Sequence, residues 1–578
     1  MKNAPEVTNE RIDDLPLLFH LLHQCLSLGP ALDALLPRHG NWLGLSAGQT
    51  LETWLIHILS ECNHFMSPVQ EWANQRADTL GRLFGQPLRV TDLADDRLAE
   101  IARSLSLDTV WHPLEAQIDQ NMIRVYRLPT RRIRLDSTTV SIAAQDPLSL
   151  LFRRGRSKDH RPDLPQFKVM LAALDPLGVV VAADVVPGNA ADDPLYLPII
   201  ERLRQTFPES GLLFIGDCKL AALQTRAYLQ ERQCFYLTPL ARLGHVPADM
   251  AQWVEQALRG EVELIPLYAE DGTTVVGQAY ELTRPQEREA SLEAPDLAWA
   301  ERVLIVHSEA FAQAARRGLQ QRLQRAEEAV QALTPPRGRG RRQFTEPAPL
   351  RAAIAAILDR YEVQGLLTVA VHEQVESQTI RGYQGHPGRV EQQRRYQVRV
   401  WRHPVALEAH ERTLGWRAYV SNAPIAELPL TEAVQVYWDE WLVERDMARL
   451  KGRPLSLVPV WVTREDHALG LTRLLTLALR VLAVAEYQVR RTLQQEGREL
   501  KGLYPGQPTR GTAHPTTERL LKAFDNLTLT VIHTAERPHL REKQVQRYVT
   551  PLSHLQKDIL RLLGCPKNLY DQFIPDSG

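Results

Sequence analysis

Two aspartates stand where a β-sheet gains nothing from them. In "IRLDSTTVS", Asp136 interrupts a run of strand-forming residues, and in "LLFIGDCKL" Asp217 ends an apolar strand at its carboxyl end. An ionised carboxylate in such a place is costly unless something binds it. Strand ends in open α/β sheets are also where ligands bind. For Asp217 a second reading stands beside this one, because it precedes a helical stretch and an N-cap there needs no ligand. A third carboxylate lies in "YWDEWLVERDMARLK", where Tyr437, Glu444 and Lys451 follow at intervals of seven residues. On a continuous helix that spacing places all three on one stripe, with Glu440 beside it. Either the stripe is a solvated charged face, or Glu444 turns toward the two aspartates. Three such carboxylates suit a pair of Mg²⁺ ions, which take hard oxygen ligands. Two ions on one phosphate activate the attacking oxygen and stabilise the leaving one.

The elements that must position these residues follow from periodicity. Up to about residue 125 the chain reads as short helices, among them "LPLLFHLLHQCLSLGPALDALL" and "SAGQTLETWLIHILSECNHF". From Arg131 the period changes to three strand-like runs, "RIRLDSTTVSI", "FKVMLAALDP" and "GVVVAADVVPG", and then to alternating helix and strand. That order predicts a mixed sheet covered by helices, an α/β fold. Residues 243–410 interrupt it with further strands and an Arg-rich linker, "TPPRGRGRRQFTEPAP", which predicts a β-rich insertion. The sheet resumes at "GWRAYVSN" and leads into one long helix bearing Glu444.

Composition bounds the class. With 578 residues, 44% apolar and 24% charged, the chain is that of a folded protein of about two to four domains. Its most apolar run, "HALGLTRLLTLALRVLAVAEYQV", is broken by Arg473 and Arg480, so it reads as a buried helix and no membrane partner is expected. The start has no apolar signal region, and the five cysteines show no C-x-x-C pairing, which predicts a cytoplasmic protein without a zinc site or disulfide framework. Net charge is −1, yet basic clusters recur in "RVYRLPTRRIR", "RRGRSKDHR", "PPRGRGRR" and "RPHLREKQVQR". Each alone is a solvated face; gathered by the fold, several would track phosphates.

Together these residues resemble the DDE transposases of bacterial insertion sequences, in the subgroup marked by Y-x2-R-x3-E-x6-K. "DSTTV" is similar to the first-aspartate strand and "GDCKLAALQT" to the second. "GRSKDHRPDLPQFKV", "VVPGNAADDPLY" and a β-strand insertion are similar to the branch with a long helical N-terminal region. The resemblance implies an RNase H-like core in which Asp136, Asp217 and Glu444 are catalytic and hold two Mg²⁺ ions, for which Mn²⁺ can substitute. It further implies backbone contacts to DNA by Tyr437 and Lys451, with Lys158 and Arg161 as further phosphate contacts. Trp416, on the strand before the signature helix, would stack on a base flipped out beside the cut; as a sequence feature it is equally core filler. The implied partners are double-stranded DNA (terminal inverted repeats and target) and a second copy of the chain in a synaptic complex. The implied domains are a repeat-recognising helical region (1–125), a catalytic core in two parts (126–242 and 411–490), the insertion (243–410) and a helical C-terminal region (491–578). Glu440 departs from the subgroup, which has arginine there. Three readings therefore stand: an active transposase, an impaired copy that only binds DNA, and an RNase H-like nuclease without strand transfer.

Overall fold

The computed structural model describes residues 6–574 apart from 38–39, 41, 144–148, 270, 291–294, 337–342, 381–388 and 534–544. The arginines of "RGRGRR" and most of "RPHLREKQVQR" lie outside the described residues. In chain order, strand β1 (Glu6–Arg11) precedes helices α1 (Leu15–Phe19), α2 (Leu28–Leu35), α3 (Ala47–Glu61), α4 (Val69–Asn74), α5 (Ala77–Phe84), α6 (Asp95–Ser106) and α7 (Asp108–Tyr126). Next come β2 (Arg132–Ser141), β3 (Gln166–Leu174), β4 (Val179–Pro187), α8 (Tyr196–Thr206), β5 (Leu213–Gly216), α9 (Leu223–Glu231) and β6 (Phe235–Pro239). They are followed by α10 (Val246–Leu258), β7 (Ile265–Tyr268), β8 (Val275–Arg288), β9 (Leu297–Ser308), α11 (Glu309–Gln331), α12 (Pro347–Arg360), β10 (Leu367–Ile380), β11 (Arg389–Arg402), α13 (Pro404–Arg412) and β12 (Trp416–Ser421). The last elements are α14 (Leu430–Trp438), α15 (Trp441–Lys451), α16 (Glu465–Glu496), β13 (Leu500–Lys501), β14 (Gly511–Thr512), α17 (Thr517–Lys522), β15 (Thr528–His533), β16 (Val545–Val549) and α18 (His554–Leu563).

These elements divide into two units. The first comprises Met1–Thr238, Glu287–Leu297 and Gln435–Gly578; the second comprises Pro239–Gln286 and Ala298–Val434. In the first unit the strands run in the order β4-β3-β2-β5-β6. β2, β3 and β4 pair antiparallel, whereas β2–β5 and β5–β6 pair parallel. Three antiparallel strands followed by parallel ones joined through helices is the RNase H-like order. β3 is buried along its whole length, so it must be apolar on both faces. Its one charged residue, Lys168, is matched by Asp192 at 2.5 Å and the Ala190 carbonyl at 2.7 Å.

α16 is long and apolar enough to cross a membrane, yet its apolar stretch is almost wholly buried by the protein. It packs on β4, α3, α6, α7 and α18. Close approach to α6 depends on Gly470, since a Cβ there would lie 1.8 Å from the Ala102 carbonyl oxygen. The two arginines that break its apolar run are buried but paired: Arg480 reaches Glu115 at 2.6 Å and Asp119 at 3.3 Å, and Arg473 reaches Asp108 at 2.5 Å. Buried charge survives only with such partners. The N-terminal helices thus share the first unit's core with the sheet and α16. Strand β1 adds a second tie, pairing antiparallel with β15 from Glu6↔His533 to Arg11↔Thr528.

One buried acid in this core makes stability depend on pH. Asp14, at the start of α1, accepts a bond from Ser60 Oγ at 2.7 Å, and burial pushes its carboxyl up to about 7. A carboxyl raised in the folded state contributes fully below its unfolded value and loses that contribution as pH rises through about 7. Asp14→Asn keeps an acceptor for Ser60 and removes the charge. The variant is expected to melt a few degrees higher than the parent in alkaline buffer and with it in acid; equal melting at both would refute the assignment.

The second unit orders its strands β12-β9-β8-β7. Helices α11 and α12 pack on the base of a separate antiparallel ribbon, β10–β11, through Leu319, Leu323, Val330, Leu350, Ile354 and Val398.

Candidate active site

Parallel pairing of β2 with β5 brings Leu135 opposite Gly216. The residue after each is an aspartate, so Asp136 and Asp217 emerge side by side. Burial raises the Asp136 carboxyl above its ordinary range; Lys158 opposes that shift, and the charge of Asp217 adds to it. Asp136 Oδ1 accepts from the Ser137 amide at 2.7 Å and lies 3.6 Å from Lys158 Nζ. Lys158 also donates to the Ser137 carbonyl and, at 3.2 Å, to Ser137 Oγ.

Asp217 is not a helix cap. α9 begins at Leu223 with Ala222 in the cap position, and Asp217 instead starts a turn in which its Oδ1 accepts from the Lys219 amide at 2.9 Å. The same oxygen accepts from Tyr196 Oη at 2.6 Å. Gly216 makes room for that ring, because a Cβ there would meet Tyr196 Cε1 at 3.1 Å. Burial, then the Asp217 charge, raises the Tyr196 phenol far above its ordinary value, so it stays a neutral donor. If Asp217 holds a cation, as the resemblance implies, Tyr196→Phe is expected to slow DNA cleavage by about 10–100-fold, the usual range for a residue orienting a ligand. DNA affinity should be unchanged; an equal loss of affinity would rule out a purely orienting role.

The third carboxylate comes from α15. Asp136, Asp217, Glu440 and Glu444 line one cleft of about 510 Å³, together with Ser137, Thr138, Lys158, Met447, Ala448 and Lys451. Lys451 Nζ donates to Thr138 Oγ1 at 3.2 Å and pairs with Asp159. Four carboxylates thus face two lysines in the cleft. The donors are hard oxygens with an excess of negative charge, which fits a divalent cation. Among the described residues, no three acid, imidazole or thiol groups are drawn together around a single point.

The single helix expected over this stretch is two. α14 ends at Trp438 and α15 starts at Trp441, with Asp439 and Glu440 in a tight turn between them. Bonds from the Glu440 amide to the Tyr437 carbonyl and from the Leu442 amide to the Asp439 carbonyl span three residues instead of four. They overwind the chain and end the stripe that an unbroken 3.6-residue period would give. Glu444 and Lys451 remain in the cleft; Tyr437 does not line it and is only 5% exposed. The turn has a visible anchor. Arg134, buried on β2 two residues before Asp136, donates to the Val436 carbonyl and, at 3.5 Å, to that of Tyr437. Its Nε donates to Asp175 at 2.8 Å. Alternate residues share a strand face, so Arg134, Asp136 and Thr138 present, in order, a hold on the end of α14, a carboxylate and a partner for Lys451.

Two expected residues lie elsewhere. Arg161 is exposed and bound through both ends to Asp163, at 2.9 and 2.8 Å. Trp416 lies in the second unit, 4% exposed, its ring 5.1 Å from His307 and its indole nitrogen without a partner among the described residues. Tyr196 and Arg134 were not evident from the sequence. The one signal for Arg134 was parity, an arginine on the same strand face as Asp136.

The cleft of carboxylates lies where β2 and β5 run side by side in the RNase H-like core, faced by a helix. Residues 128–479 match the family Transposase DDE domain, more than half of the chain, and the chain belongs to that family. The family is one of transposition enzymes, whose DDE domains in general use divalent metal ions. No curated protein matches the chain. Among solved structures, the cryo-EM structure of a piggyBac transposase synaptic complex with hairpin DNA is similar over 99% of this chain and 88% of that one, at 10% identity and a TM-score of 0.36.

Proposed function

We propose that this chain is an active DNA transposase that binds the terminal inverted repeats of an insertion sequence, cuts beside them and joins the freed ends to target DNA. The observation carrying this reading is the gathering of Asp136, Asp217 and Glu444 in one lysine-flanked cleft within the family-matched region. The subgroup is the Y-R-E-K one of bacterial elements, by the spacing of Tyr437, Glu444 and Lys451. Asp136, Asp217 and Glu444 would hold two Mg²⁺ ions, with Mn²⁺ able to substitute; such a pair supplies an activated attacking oxygen and a stabilised leaving oxygen at one phosphate. Lys158 and Lys451 flank the carboxylates and suit the phosphates on either side of the scissile bond. Tyr196 keeps Asp217 oriented, and Arg134 holds the turn from which α15 carries Glu444 into the cleft. Two copies of the chain would hold the two ends, in the cytoplasm where the DNA lies.

Glu440 favours a second reading. It adds a fourth carboxylate to the cleft where the resembled subgroup has an arginine, so a copy that binds repeats without cutting them is the alternative. One experiment separates the two. Purified protein is incubated with DNA from both flanks of its reading frame, with and without Mg²⁺. Footprints over imperfect inverted repeats with Mg²⁺-dependent nicks at their ends support the enzyme. Footprints without nicks support the binding protein, and the absence of both footprints and nicks refutes both readings.

A further inference from the structure

The ribbon β10–β11 is longer than its core requires. Each strand has fourteen residues, Leu367–Ile380 and Arg389–Arg402, or about 45 Å of ribbon at 3.3 Å per residue. Only its base is packed: Tyr396 and Val398 are buried against Val330, Leu350 and Ile354, while from His372 outward every described residue of β10 is exposed. A two-stranded ribbon without a core is marginal in water, so a projecting one of this length calls for a partner.

Register identifies the face left over. Tyr396 and Val398 point to the helices, so Arg395, Gln397, Arg399 and Trp401 point away. Opposite them on the same face stand Gln374, His372, Ala370 and Thr368. The Arg399 side chain is exposed and makes no hydrogen bond or ion pair among the described residues, and Trp401 is 48% exposed. The acid described on this face, Glu376, lies 3.8 Å from Arg395. The face therefore carries cations, amide donors and an exposed indole, the inventory for phosphates and base edges.

We propose that this outer face docks on double-stranded DNA, as a contact separate from the cleft. The chemistry favours duplex over other occupants: a two-stranded ribbon fits a major groove about 12 Å wide, and cationic and amide groups match what that groove and its phosphates present. The proposal rests on the chain being a DNA transposase, and its test is built to tell the two apart.

The full chain and its Arg395→Ala/Arg399→Ala variant are titrated with a mixed-sequence DNA duplex across a range of salt concentrations. Both arginines are on the surface, so unchanged melting is expected. Removing two phosphate contacts should weaken binding several-fold at low salt and reduce the slope of log affinity against log salt by about 2. Arg412→Ala, which removes a cation from α13 of the same unit, should leave both quantities unchanged. Parent and double variant binding alike, or Arg412→Ala weakening binding as much per charge, would overturn the ribbon proposal alone. A loss seen with duplex RNA but not with duplex DNA would also overturn it. A parent chain that binds no DNA at any salt would instead overturn the transposase reading.

Discussion

Asp136→Ala, Asp217→Ala and Glu444→Ala are each expected to abolish DNA cleavage while leaving DNA binding within about twofold. In the proposed reading each carboxylate serves the cations, and affinity comes from phosphate contacts that do not involve it. Losing a metal ligand removes several kcal/mol of transition-state stabilisation, which at 1.36 kcal/mol per tenfold is about 10³-fold or more in rate. Glu440→Ala removes an acid from the same cleft, yet it should be far milder, because its neighbour Glu444 is the one at the signature spacing. Cleavage assays and gel shifts on the four variants give the ordering directly. A dead Glu440→Ala beside an active Glu444→Ala would place the third ligand one turn earlier.

The second large effect is expected at Arg134, which does not line the cleft. Its guanidinium satisfies Asp175 and the last carbonyls of α14, all buried. Arg134→Met leaves Asp175 buried without its cation, a change that costs about 3–5 kcal/mol. A clear fall in melting temperature should follow. Arg134→Lys is the informative variant. A lysine can keep the charge beside Asp175, but it lacks the planar fork that reaches the carbonyls at the same time. Melting should then recover most of the way, while cleavage stays about 10–100-fold low, as for other residues that orient a ligand indirectly. DNA affinity should match the parent throughout. Full cleavage by Arg134→Lys would show that the hold on α14 does not set the position of Glu444.

What the sequence made legible is what depends on near neighbours. Asp136 is conspicuous because burial of a charge inside "IRLDSTTVS" needs a reason, and Glu444 because spacing along a helix is local. The strands β2 to β6 follow from their short apolar, strand-forming runs and the turn residues between them, for the same cause. Long-range geometry was not legible. Nothing near Glu6 announces a strand partner at His533, and nothing near Ala102 announces that Gly470 will lie against it. Tyr196 reaches Asp217 only because the connection from β4 to β5 brings the start of α8 to the end of β5. The break at Asp439–Glu440 escaped a reading by spacing, since the carbonyls just before it are held by an arginine three hundred residues earlier in the chain. Asp217 shows the converse: its two readings are equal in sequence, and the turn to Lys219, with Ala222 in the cap position of α9, removes the helix-cap one.

Crystals of the full chain with DNA, grown or soaked with Mn²⁺ and measured at the manganese absorption edge, would test the site most directly. Anomalous peaks are expected beside the carboxylates of Asp136 and Asp217, with Glu444 drawn into contact, and the same peaks should vanish in Asp136→Ala. Peaks held by Glu440 without Glu444, or no manganese within reach of Asp136 and Asp217, would contradict a catalytic site built on these three residues.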